Sequence, residues 1–363
     1  AKTPEETPAE TPAEVEKKIL RTNNSSEPGS LDPALAQGTH ESWILSNTFE
    51  GLMKNDADGK VIPGMTKDYK LSEDNLTYTF TLRDDVVWSN GDPITAHDFE
   101  YSWKRVLDPE LAADYAFQLY YIKGGEAYNT TVKPGTYPDP NDDTKEIVYP
   151  IEDGELEGLD TNGKSEEEIN EMVYQKRLEE TLANVAVKAL DDKTLEVTLE
   201  APTGYFLELT AFKTYLPINQ KVVEGKDDWY AEAGENYVTN GPYTLDTWKH
   251  SDSIVLKKNE GYWDAANVAV NTVNIGMVEN EATAVTMFKN GEIDYLGSPY
   301  QTVALDAIDG FKADKSLNID DYAAIYWYKF NTTDKVTGNA NIRKALTLAI
   351  DRQGLIDNVT KGE

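Results

Sequence analysis

The chain has 363 residues, enough to bury a large core and to divide into more than one lobe. Lysine plus arginine number 34 against 65 aspartates plus glutamates, a formal charge of −31 that argues against nucleic acid or an anionic membrane surface as a partner. There is no cysteine, as suits an exported protein without thiol chemistry, and no apolar run approaches the roughly 20 residues that cross a bilayer.

The opening AKTPEETPAETPAEVEKK, residues 1–18, repeats Thr-Pro and Glu with almost nothing to bury and predicts a disordered, solvated tether. No signal peptide precedes it, so the chain reads as a mature or trimmed one. A short strand is expected at Ile19–Asn23, then a loop through Glu27-Pro28-Gly29-Ser30-Leu31-Asp32-Pro33. Trp43 to Met53 has helical periodicity and includes Glu50-Gly51-Leu52. Asn55 to Lys60 predicts a hairpin turn; its Asp-x-Asp-Gly spacing lacks the downstream glutamate of a calcium loop. Leu76 to Leu82, LTYTFTL, alternates as a strand does.

The run from Leu82 to Trp103, LRDDVVWSNGDPITAHDFEYSW, is the most informative part of the chain. A strand end meets the polar turn Ser89–Pro93, and Thr95 then caps a helix carrying Asp98, Phe99, Tyr101 and Trp103. It holds no nucleophile, metal cluster or phosphate loop.

Gly124 to Lys164 is acidic and rich in glycine and proline, and reads as a surface excursion. Within it Gly158 to Ser165 fits the phosphate-loop pattern G-x-x-x-x-G-K-[ST]. The hydrophobic strand that should precede such a loop is absent, and Glu152, Asp153, Glu155 and Glu157 stand before it with Glu166, Glu167 and Glu168 after. The simpler assignment is a capping box, Ser165 with Glu168, opening a helix to about Leu182. Val185 to Leu199 predicts a hairpin turning at Asp191-Asp192. His40, His97 and His250 lie far apart, with no metal-ligand spacing; His97 is assigned to packing or capping. No catalytic set, cofactor motif or metal set emerges.

In the second half, Asn240-Gly241-Pro242-Tyr243-Thr244-Leu245 predicts a strand with Tyr243 and Leu245 on one side. Leu256 to Asp264 follows, then Asn290-Gly291-Glu292-Ile293-Asp294 as a helix stopped by glycine and succeeded by a strand. Ile342-Arg343-Lys344-Ala345-Leu346 through Ala349-Ile350-Asp351-Arg352 has one apolar helix face. Together with E-P-x-S-L-D-P, E-G-L and the Leu82–Trp103 run, these segments resemble family 5 of the bacterial extracellular solute-binding proteins, the oligopeptide and dipeptide receptors of ABC importers. The resemblance covers the chain from about Ile19 onward, weakest in the acidic excursion.

That resemblance implies an α/β, two-lobed periplasmic-binding-protein fold of type II, a venus flytrap, with an extra subdomain and an incomplete second lobe. It places lobe I at 19–49 and 219–325, the subdomain at 50–218 with the acidic insertion at about 124–184, and the start of lobe II at 326–363. It implies a non-enzymatic monomer on the outer face of the cytoplasmic membrane or in the periplasm, held by an N-terminal lipid that this sequence lacks. Its partners would be an oligopeptide ligand and the permease subunits. Ligand contacts carried over are Gln37, Gly38, Thr39 and His40 in a strand-like segment, Tyr115 in a helix after the signature, and Glu281, Gly297 and Ser298. Gly297 and Ser298 are smaller than the Tyr-Asn pair of some relatives. Trp88, Trp103, Tyr262, Trp263 and Tyr326–Phe330 are assigned to packing. Family members continue well past Glu363, so an isolated 363-residue chain is expected to bind peptide poorly or not at all. Other solutes stay open (a dipeptide, a nickel complex, haem, a sugar), as do pheromone capture and a secreted glycan-active enzyme.

Overall fold

Alternating burial decides where the strands lie. The computed structural model describes residues 18–140, 142–320 and 325–361, so residues 1–17 of the expected tether lie outside it. Lys18, assigned to that tether, belongs to the fold instead: its N–H donates to Asn271 Oδ1 at 3.0 Å and its carbonyl accepts from Asn271 N.

The strands are β1 (Ile19–Asn23), β2 (Met53–Asn55), β3 (Val61–Pro63), β4 (Thr66–Leu71), β5 (Thr77–Leu82), β6 (Gly135–Asp139), β7 (Asp142–Tyr149), β8 (Val187–Asp191), β9 (Thr194–Thr198), β10 (Tyr243–Lys249), β11 (Ser253–Lys258) and β12 (Thr272–Gly276). The helices are α1 (Thr39–Thr48), α2 (Ala96–Val106), α3 (Gly125–Asn129), α4 (Glu166–Ala183), α5 (Phe206–Leu209), α6 (Gln220–Val223), α7 (Glu281–Lys289), α8 (Leu305–Asp314), α9 (Ala340–Ala349) and α10 (Arg352–Asn358).

Two four-stranded sheets carry the core. One has the order β1-β12-β11-β10, with β1 parallel to β12 and the other pairs antiparallel. The second, β4-β5-β9-β8, is antiparallel throughout. Tyr78, Phe80 and Leu82 of β5 point inward, as period-2 alternation requires, and α2 covers β8 and β9. Trp103 of α2 is fully buried and its indole N–H donates to Tyr215 O at 2.8 Å, which satisfies the one polar atom that burial would strand. Thr95 and Asp98 form the capping box that starts α2.

The motif residues bind one another. Glu50 is buried, and its backbone N–H and C=O both pair with the Asn240 side chain at 3.0 and 2.8 Å. Its carboxylate accepts from Tyr262 O–H and from Trp263 Nε1, the latter at 2.8 Å, with Lys54 Nζ at 3.2 Å. The Arg83 guanidinium lies 3.6 Å from the Trp263 ring centre. E-G-L, N-G-P-Y and Y-W-D therefore meet at a single joint.

Several expectations need correction. The helix expected at Trp43–Met53 runs from Thr39 to Thr48, because Phe49 turns extended, Glu50 N–H donates to Asn240, and a β-carbon at Gly51 would stand 2.4 Å from Thr210 O. The β8–β9 turn is Asp192-Lys193: Asp191 still pairs with Thr194, and its carboxylate accepts from Lys193 N at 2.8 Å. Among the described residues no strand follows Gly291, although Asp294 N donates to Arg21 O and the two side chains form an ion pair. His97 neither packs nor caps: it is half exposed, with Nε2 at 3.6 Å from Asp192 Oδ1. Tyr326, Trp327 and Tyr328 are 90, 69 and 70% exposed, so this run is not packed, whereas Trp88, Trp103 and Tyr262 are.

The acidic excursion is ordered by its own contacts. It carries α3 and the β6–β7 hairpin, and Arg177 of α4 holds it by donating to Val132 O, Pro150 O and the Glu155 carboxylate at 2.9, 2.8 and 2.6 Å. At the phosphate-loop pattern, Ser165 and Glu168 form the expected capping box.

Candidate functional site

Asp32 fixes the loop that leads to the site. It is fully buried, its carboxylate accepts from both terminal nitrogens of Arg105 at 3.2 and 2.7 Å, and Oδ1 also accepts from Ala34 N. The L-D-P loop is thus locked to the signature helix, and the chain emerges at Gln37 in a defined direction.

Gln37 and Gly38 are not in a strand, and Thr39 and His40 form the first turn of α1, with Gly38 extended at φ −91°, ψ 179° as its N-cap. The expected strand-like stretch is therefore two residues long, since helix geometry takes over at Thr39. Among the described residues no acceptor takes the backbone N–H of Gln37, Gly38, Thr39 or His40. Four unpaired donors at the start of a helix form a row able to receive carbonyl oxygens.

Lys213 organises this corner. The residue is buried, and its Nζ donates to Gln37 O at 2.9 Å, Ser42 Oγ at 3.0 Å and Gly38 O at 3.4 Å. It also stands 4.7 Å from the Tyr115 ring centre and 5.4 Å from that of Phe212. Burial pushes the Lys213 ammonium below its ordinary pKa, against the opposing charge of Glu41. Tyr115 precedes a short 3-10 turn, Ala116–Leu119, rather than sitting in a helix, and stacks on Phe117. The Gln37 amide donates to Asp114.

His40 faces the other way, with Nε2 at 3.2 Å from Ser25 Oγ and its carbonyl accepting from Asn24. Asn24 in turn accepts from Trp43 Nε1, and the Trp43 ring meets Tyr300 edge-on with centres 4.0 Å apart. Through Tyr300 this reaches the second predicted group: Gly297 O accepts from Tyr300 N and Gln301 N at 3.1 and 3.2 Å, and Ser298 O accepts from the Tyr295 hydroxyl. Gly297 has φ +127°, a conformation that favours glycine. Glu281, exposed in the first turn of α7, accepts from Thr302 Oγ1. One contact network thus runs from Tyr115 through Lys213 and α1 to the loop of Gly297 and Ser298. Glu281 lies at its far edge.

None of the eight residues lines either of two open hollows among the described residues. One, of about 660 Å³, is walled by His97, Tyr101, Lys104, Arg105, Tyr128 and Lys226; the other, of about 550 Å³, by Met53, Val61, Tyr69 and Leu207. In the larger, Lys104 is paired with Glu100 and Arg105 with Asp32.

Lys213 and Asn24 escaped the sequence reading. A lone cation inside Ala211-Phe212-Lys213-Thr214-Tyr215-Leu216 was the available signal, because an apolar setting for one lysine implies an internal partner.

The family model for bacterial extracellular solute-binding proteins, family 5 Middle, matches residues 60–363. The chain belongs to that family. It is 43% identical over 347 residues to the oligopeptide-binding protein OppA of Bacillus subtilis, covering 96% of this chain and 55% of the relative. It is 37% identical to the dipeptide-binding protein DppE of the same organism, over 95% of this chain and 54% of that one. Among solved structures, OppA of Burkholderia pseudomallei superposes with a TM-score of 0.74 at 28% identity, over 96% of this chain and 59% of its own. The Haemophilus influenzae OppA complex with RPPGFSPFR gives 0.68 at 29% identity, with 96 and 59% covered. This family 5 chain spans about half the length of the curated relatives it matches, and its mixed α/β fold is that of type II periplasmic binding proteins.

Proposed function

We propose that this chain forms part of an extracytoplasmic receptor that captures oligopeptides and delivers them to an ABC importer, without chemistry on the guest. The observation that carries this reading is the row of unpaired N–H donors at Gln37–His40, beside Tyr115 and anchored by Lys213. A peptide backbone supplies carbonyl acceptors at fixed spacing whatever its side chains, so such a row gives affinity without reading sequence. Side chains would then occupy hydrated space in which water adapts to each. The name of the Bacillus relative and the peptide-bound Haemophilus structure support the same ligand class.

In this reading the β1-β12-β11-β10 sheet belongs to lobe I (19–49 and 219–325), the β4-β5-β9-β8 sheet to the subdomain (50–218), and residues from 326 begin lobe II. Ligand contacts are Gln37, Gly38, Thr39, His40 and Tyr115, with Glu281, Gly297 and Ser298 at the far side. Closure of two lobes would bury the guest and present a new face to the permease subunits. The protein acts as a monomer at the outer face of the cytoplasmic membrane or in the periplasm, and a lipid anchor would hold it there. The similarity to DppE favours a dipeptide guest as the second reading.

Native mass spectrometry of the full-length polypeptide purified from its own cells tests this. Co-purified peptides of mixed sequence are expected. A single non-peptide solute, or turnover of the guest, would refute the reading.

A further inference from the structure

We propose that Lys213 is a positioning residue for guest binding: it draws the carbonyls of Gln37 and Gly38 inward, so that the Gln37–His40 edge presents only N–H groups and takes the guest by its acceptors. This rests on the peptide-receptor reading.

An ammonium has three N–H donors, and here all three have acceptors on one short stretch of chain: Gln37 O, Gly38 O and Ser42 Oγ. The Gly38 carbonyl also accepts from Ser42 Oγ at 2.6 Å and from Ser42 N at 3.3 Å, so no lone pair is left for a guest. Glu41 constrains the same residue. Its Oε1 accepts from Gly29 N at 2.7 Å, while Oε2 is buried without a hydrogen-bond partner. A β-carbon at Gly38 would stand 2.7 Å from that Oε2. The Gly38 carbonyl is thus held by a cation, and a carboxylate oxygen fills the space that a side chain at this position would need. The rings of Tyr115 and Phe212 flank the ammonium within 4.7 and 5.4 Å, which favours these hydrogen bonds over hydration. Buried charges set in this way fix a backbone direction, which matters most when a guest is held by its main chain.

The test uses the full-length polypeptide with Lys213→Met and Lys213→Arg. Calorimetry would follow trialanine, trilysine and triphenylalanine, one backbone with three kinds of side chain. Amide ¹⁵N relaxation would follow Gln37 and Gly38, and hydrogen exchange in β5 and β9 would report the fold. Lys213→Met is expected to weaken every tripeptide the parent binds by a common factor of about tenfold or more. It is also expected to loosen Gln37 and Gly38 while β5 and β9 keep their protection, and Lys213→Arg should recover part of the affinity. A loss that depends on the guest side chain, an unchanged affinity, or undiminished order at Gln37 and Gly38 would overturn the proposal. Should Lys213→Met lose sheet protection, Lys213→Gln, which keeps two N–H donors without charge, carries the same comparison. If the parent binds no peptide, the receptor reading fails by itself, and order at Gln37 and Gly38 alone decides the positioning role.

Discussion

Asp32 and Arg105 show how one buried pair orients a whole loop. Arg105→Met would leave a fully buried carboxylate without its cation, and breaking such a pair costs about 3–5 kcal/mol. Urea titration should show that loss, because Met fills much of the vacated volume and the charge alone is removed. His250 supplies a smaller, pH-dependent contribution. Its hydrogen bond to Glu27, 2.8 Å at Nδ1, with Glu232 nearby, raises its pKa above the ordinary value. A raised pKa stabilises the fold fully below the unfolded value of about 6.5 and loses that contribution as pH rises through the folded one. The thermal midpoint is therefore expected to decline modestly from about pH 6 to pH 8, and His250→Gln to flatten the slope. Half exposure of the ring keeps the effect small.

At the level of elements, caps and alternation were legible and partners were not. Thr95 with Asp98, Ser165 with Glu168, and the inward Tyr78 and Phe80 all follow from spacing of two or three residues, which local chemistry sets. Glu50 with Asn240, Tyr262 and Trp263 joins positions 190 to 213 residues apart, and no local pattern encodes such a pairing. The same limit explains the candidate site. Gln37 and Tyr115 could be marked by resemblance, but the lysine that draws them together is distant in sequence and has no motif. It also explains the misplaced first helix, whose end is set by Asn240 and Thr210 from afar. The Ser165 cap offers a direct check. Ser165→Ala should cost about 1 kcal/mol in urea unfolding. On the proposed peptide-receptor reading peptide affinity should not change, since the cap lies in the acidic excursion and not on the Tyr115–Lys213 network.

For the molecule as a whole, a net charge of −31 sets the strongest general expectation. Like charges repel more in the compact state than in the unfolded chain, so added salt should stabilise the fold by screening. Thermal midpoints measured between roughly 0.01 and 0.5 M sodium chloride should rise, where a fold dominated by ion pairs would fall. The acidity is not evenly placed, and much of it sits in the excursion that Arg177 gathers onto α4. One guanidinium ties down both Val132 and Pro150, and Lys133, paired with Glu167 and Glu171, adds a second tie to α4. A lineage can lengthen, shorten or recode the segment between those two anchors without disturbing either main sheet. A reporter or affinity tag grafted there would ride on the molecule away from the Tyr115–Lys213 network.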